Sequence, residues 1–171
     1  MIIVDSREKK WDHIRQYFDK NGVVYEIQKL DVGDYLNTDC GGIVIDRKAN
    51  LQEIASNLSK GNGNIMRFTR EAARAKSNNC RLIVLIEGTD CRETKDVIGW
   101  HSKITKHTGR WLNDKMFTLT LSYGVEWQFC RKNETAKKIL EIVGYESLPS
   151  NQQKNRSNNN HICGFSAEGN Q

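Results

Sequence analysis

The run Leu82-Ile83-Val84-Leu85-Ile86 offers no polar side chain on either face, so it predicts an interior strand of a sheet covered on both sides. Helices must supply that cover. The flanking chain alternates short β-branched runs with helix-period segments, which is the pattern of an α/β sheet. Ile2-Ile3-Val4 reads as the first strand. Trp11, Ile14, Tyr17 and Phe18 recur at helical spacing before the stop Asn21-Gly22, and Val23 to Ile27 reads as the second strand. Tyr35-Leu36 and Ile43-Val44-Ile45 flank Asp39-Cys40-Gly41-Gly42 as a hairpin. Helices are predicted over 50–58, 65–77, 109–122 and 134–143, the last with Asn133 as its N-cap, and a strand over Val125 to Cys130. Residues 88–108 are polar and carry no clear period.

A chain of 171 residues accommodates one domain of ordinary size, predicted at 1–147. Beyond Pro149, the only proline, Ser150 to Asn160 has no apolar period, so 148–171 reads as a polar, disordered C-terminal tail. Hydrophobic residues at 37% and charged residues at 27%, with no run near the roughly eighteen apolar residues of a membrane span, exclude a membrane protein. The start Met1-Ile2-Ile3-Val4 lacks the basic segment of a secretory signal. Together with five scattered cysteines and no C-x-x-C pair, that predicts a reducing compartment without disulfide framework or zinc knuckle. A net charge of +5 tilts the partner toward a polyanion.

Three acids occupy strand positions, where carboxylates are poor formers: Asp5 ends the first strand, Asp34 opens the hairpin and Asp46 closes it. Period-2 alternation puts Asp46 and Lys48 on one face. An odd-length loop brings Asp34 to that same face, opposite Asp46 in one register and opposite Lys48 in the other. Carboxylates so close repel, and a hard divalent cation such as Mg²⁺ relieves the repulsion while taking oxygen ligands. A neighbouring Lys would then orient a water, or help deprotonate it, for attack on a phosphate. That chemistry is phosphodiester hydrolysis.

The motifs Val4-Asp5-Ser6-Arg7-Glu8, Val32-Gly33-Asp34-Tyr35 and Val44-Ile45-Asp46-Arg47-Lys48, followed by a helix and the Leu82 to Glu87 strand, resemble the nuclease domain of the XPF-type structure-specific endonucleases. That resemblance implies a restriction-endonuclease-like α/β fold, a mixed central sheet with helices on both faces. It implies Mg²⁺ or Mn²⁺ held by Asp34 and Asp46 with Asp5 near the site, Lys48 as a catalytic residue, and Arg7, Glu8 and Arg47 in support. The family's motif Glu is Asp46 here, and its final Asp falls at Gln52, with Glu53 as a neighbour turned about 100° away on a helix. The activity implied is hydrolysis of DNA phosphodiester bonds at flaps, forks or junctions, with a homodimer or a partner protein supplying selectivity. The compact chain resembles bacterial and phage versions, which implies the cytoplasm, or the nucleus in a eukaryote.

Two other readings stay open. One is a non-catalytic DNA-binding or dimerisation subunit, favoured by Gln52. The other is a nuclease acting on RNA or on unbranched DNA. Arg67, Arg70 and Arg74 share a helical face that is either a solvated surface or a phosphate-contacting stripe, and the loop from Lys60 to Asn64 is small enough to approach a DNA backbone. Trp100, His101 and His107 suggest stacking or a metal, but surface histidines at that spacing are mostly unpaired and the suggestion is discounted, and Glu87 reads as a capping or pairing group.

Overall fold

The computed structural model describes residues 1–39, 42–59 and 63–145. Lys60 and the tail therefore lie outside the described residues. Strands β1 (Ile2–Asp5), β2 (Tyr25–Gln28), β3 (Tyr35–Asn37), β4 (Ile43–Lys48), β5 (Arg81–Ile86) and β6 (Glu126–Phe129) form one sheet in the order β2-β1-β3-β4-β5-β6. β3 runs antiparallel to both β1 and β4, and the remaining pairs are parallel, so the sheet is mixed as expected. The apolar run of β5 is interior, between β4 and β6.

Helices α1 (Asp12–Lys20), α2 (Leu51–Leu58), α3 (Asn64–Ser77), α4 (Gly109–Tyr123) and α5 (Thr135–Ile142) cover both faces. Alternation along the strands divides the core in two. Val44, Leu82, Val84 and Ile86 pack with Leu51, Ile54, Phe68, Ala72, Leu112 and Met116 of α2, α3 and α4. Ile45 and Leu85 face the other way and pack with Ile14 and Phe18 of α1 and Ala136 and Ile139 of α5. Consequently Asp46 and Lys48 turn toward the α2 and α3 layer, and Arg47 toward the α1 and α5 layer. No helix among the described residues is long and apolar enough to cross a membrane.

Two predicted boundaries move. β2 begins at Tyr25, opposite Ile2, because Val23 is buried beneath α1 and pairing starts only after it. Asn133 does not cap α5: a 3₁₀ turn over Lys132–Glu134 precedes the helix, and the Glu134 carboxylate takes the Arg131 N–H at 2.8 Å. The region without a period holds a second 3₁₀ turn, Thr94–Gly99, and a strap closed by a bridge between His101 and Thr108.

Candidate active site

Three consecutive charged residues are buried at the end of β4: Asp46 at 3% exposure, Arg47 at 6% and Lys48 at 9%. Such burial is costly unless each charge is paired, and the pairing organises the site. Tyr35 faces Ile45 and Leu36 faces Val44, the register that continues to Asp34 opposite Asp46. Asp34 then accepts the Arg47 N–H at 2.8 Å through Oδ2, which fixes its carboxylate beside β4. Gly33 makes this turn possible. Its φ of +72° is left-handed, and a Cβ there would stand 2.8 Å from the Ile45 carbonyl oxygen.

Lys48 Nζ pairs with Asp46 Oδ1, while Asp46 Oδ2 is buried without a hydrogen-bond partner. Burial raises the Asp34 pKa well above the ordinary carboxylate range, and the Asp46 charge raises it further. Burial pulls the Lys48 pKa down, but Asp46 and Asp34 outweigh it, so Lys48 stays a cation. One cleft of about 500 Å³ is lined by Asp34, Asp46, Lys48, Glu53, Glu71, Arg67 and Arg74, with Arg7 and Lys10 on its β1 side.

Glu71 of α3 is the residue that the sequence reading overlooked. Its Oε1 accepts the Gly33 N–H at 2.9 Å, and burial and Asp46 raise its pKa. The available signal was one acid inside a basic stripe, four residues after Arg67 and three before Arg74. Arg67 and Arg74 line the cleft beside Glu71, and Arg70 does not. Arg74 also reaches the Asp31 carboxylate at 3.7 Å.

Several expected residues take other positions. Asp5 does not line the cleft: its carboxylate accepts from Arg7 N at 2.7 Å, Arg7 Nε at 2.8 Å, Arg7 Nη2 at 2.7 Å and Leu30 N at 2.8 Å. These bonds join the end of β1 to the segment before β3. Of Asp34, Asp46 and Asp5, the structure brings the first two together in the cleft. Arg47 and Glu8 both border the cleft, and the Arg47 guanidinium is held by Glu87 at 2.6 Å and Glu8 at 2.8 Å. Glu87 in turn accepts from Thr135 at 2.8 Å and meets His13 at 2.9 Å, the pairing role expected for it.

Gln52 turns away from the cleft, and Ser102 Oγ donates to its Oε1 at 2.8 Å. Glu53 lines the cleft instead, with its Oε2 on the Ala49 N–H at 2.8 Å and its own N–H on the α2 N-cap Asn50 at 2.9 Å. His107 contacts Ser59 Oγ at 2.7 Å and stacks on Trp111, ring centroids 3.8 Å apart, so it anchors the strap to α2.

Among the described residues, no three His, Cys, Asp or Glu side chains stand in metal-binding geometry. The donor set nevertheless fits a hard cation at two positions. Asp46 Oδ2 is a buried acceptor lacking any donor, and Asp34 is a buried carboxylate whose charged form would need a counter-ion.

Residues 4–142 match the ERCC4 domain. XPF from Aeropyrum pernix is similar in structure, with a TM-score of 0.62 at 20% sequence identity over 98% of this chain and 67% of that one. XPF from Aeropyrum pernix in complex with DNA gives a TM-score of 0.63 at 20% identity, over 95% of this chain and 75% of that one. No curated protein matches the chain in sequence. The ERCC4 match spans most of the chain and contains Asp34, Asp46 and Lys48: the chain belongs to the ERCC4 domain family and has the fold of an XPF-type nuclease domain.

Proposed function

We propose that this cleft hydrolyses phosphodiester bonds of DNA with Mg²⁺ or Mn²⁺, at branched substrates such as flaps, forks or junctions. The observation that carries the reading is Asp46, 3% exposed, with Oδ1 on Lys48 and Oδ2 without a partner in a cleft bordered by Arg67 and Arg74. Asp34 and Asp46 would hold the cation, which when bound supplies charge stabilisation on the scissile phosphate. Lys48, kept cationic by its two carboxylates, acts as an electrostatic donor toward a phosphate oxygen and positions the attacking water. Arg67 and Arg74 contact flanking phosphates, and Gly33 and Glu71 hold Asp34 in place.

The second reading, a catalytically weak or inactive DNA-binding or dimerisation subunit, is favoured by Gln52, which occupies the position of a motif carboxylate and faces away from the cleft. Pairing with a second copy or a partner protein is supported by Phe117 and Leu121, 62% and 70% exposed and one turn apart on α4. Incubation with Mg²⁺ and flap, fork, duplex and single-stranded DNA separates these readings. Cleavage that Asp46→Asn removes supports the nuclease, and binding without cleavage supports the subunit.

A further inference from the structure

A second groove opens at the C-terminal end of the sheet, beside the catalytic strand. It encloses about 500 Å³, and its lining includes Asn50, Gln52, Gly88, Trp100, Lys103 and Ile104. Asn50 lies two residues beyond Lys48. Gly88 has a φ of +68°, and a Cβ there would stand 3.0 Å from the Ala49 carbonyl oxygen, so the turn after β5 lies close against the chain leaving β4. The groove and the hydrolytic cleft therefore flank the same short segment. The outer wall is the strap of residues 101–108, tied to α2 through Ser102 on Gln52 and His107 on Ser59.

The lining combines an aromatic body with a few polar groups. Trp100 packs on the core, yet it lines the groove, and Ile104 at its edge is 78% exposed. Gln52 Oε1 is taken by Ser102, while Gln52 Nε2 is buried without an acceptor. Of the described residues that line the groove Lys103 alone is charged, so an anion is favoured there.

On the reading that this chain acts on DNA, we propose that the groove takes one unpaired nucleotide of the substrate. Its base would lie against Trp100 and Ile104 with a carbonyl on Gln52 Nε2, and its phosphate would meet Lys103. A paired duplex keeps its base faces stacked inside and offers a groove of this size only backbone. Only an unstacked base can fill an apolar slot with a π-face. The groove would thereby distinguish branched from continuous DNA beside the adjacent cleft.

The test measures affinity by fluorescence anisotropy in EDTA, at fixed salt, for a single-stranded oligonucleotide, a fork and a blunt duplex. The proteins are the full chain, Trp100→Leu, and Ile104→Glu, whose position is exposed enough to leave folding intact. Both variants should bind the fork and the single strand about tenfold more weakly, the scale of one stacked base, with duplex affinity changed less than twofold. A 2-aminopurine in the unpaired arm should be quenched by the full chain and not by Trp100→Leu. Equal loss on fork and duplex, or no loss in Ile104→Glu, overturns the nucleotide groove and leaves the nuclease reading standing. Full-length chain that binds none of the three DNAs overturns both.

Discussion

Glu71 accepts the backbone N–H of Gly33 at 2.9 Å, so a carboxylate from α3 holds the turn that presents Asp34. Glu71→Gln keeps an acceptor for that N–H, whereas Glu71→Ala leaves it without one. We expect Glu71→Ala to lose about 1–2 kcal/mol of unfolding free energy and Glu71→Gln to lose much less. The cleavage rate should follow the same order, because a loosened Gly33 displaces Asp34. Denaturant unfolding and single-turnover cleavage of the two variants check both parts; equal loss in both would assign Glu71 a charge role instead.

Asp34→Asn and Asp46→Asn should each abolish metal-dependent cleavage while leaving circular dichroism unchanged. Asp34 also carries a stability prediction. A carboxylate with its pKa raised by burial and by Asp46 penalises the folded state when ionised. That penalty is absent below the unfolded value of about 3.9, grows as pH rises, and is complete above the folded value. Metal-free Asp34→Asn should therefore melt higher than the parent chain at pH 7, and Mg²⁺ should raise Tm in the parent chain alone.

Much of this site is legible in the residues, and what is not has a tertiary cause. Asp46 and Lys48 share a face because strand side chains alternate, and that needs only local sequence. The choice between Asp46 and Lys48 opposite Asp34 depended on loop length, which the hairpin residues left open. Gln52 and Glu53 exchanged their expected positions because Leu51, Ile54, Ala55 and Leu58 set the rotation of α2 by their burial, leaving Glu53 toward the cleft. Glu71 was out of reach for a different reason: its partner is a backbone N–H thirty-eight residues away, brought near only by packing of α3 against the sheet. Asp5 had the motif position and the strand end, but its four donors come from a turn and a loop that no pattern announces.

Lys48→Ala should lower the cleavage rate while preserving or strengthening Mg²⁺ binding, because removing the ammonium releases Asp46 Oδ1 for the cation. Titration calorimetry and single-turnover rates separate the two effects. Loss of metal affinity together with a lower Tm would make Lys48 structural.

Arg67 and Arg74 line the cleft and Arg70 does not, which divides a stripe that looked uniform in sequence. Replacing Arg67 and Arg74 by Gln should flatten the log–log salt dependence of duplex binding by roughly one to two, given about 0.9 per phosphate contact. Arg70→Gln should leave the slope unchanged. A slope that responds equally to all three would restore the uniform stripe.

Asp5→Asn should destabilise the fold while sparing the chemistry of molecules that remain folded. Burial raises the Asp5 pKa, but hydrogen bonds from the Arg7 side chain, Arg7 N–H and Leu30 N–H outweigh it, and the result lies below the ordinary value. A depressed carboxylate contributes stability fully present above its unfolded pKa of about 3.9, and lost as pH falls through its folded value. Asparagine can accept with one oxygen only, so its amide NH₂ would confront Arg7 Nη2 or Leu30 N–H, donor against donor. The expected loss is about 1–3 kcal/mol at pH 7, shrinking below pH 4 as the parent chain itself becomes protonated. Thermal melts from pH 3 to 7 give the stability difference, and cleavage at a temperature where both chains are folded gives the activity. Full stability with abolished cleavage would return Asp5 to the metal set.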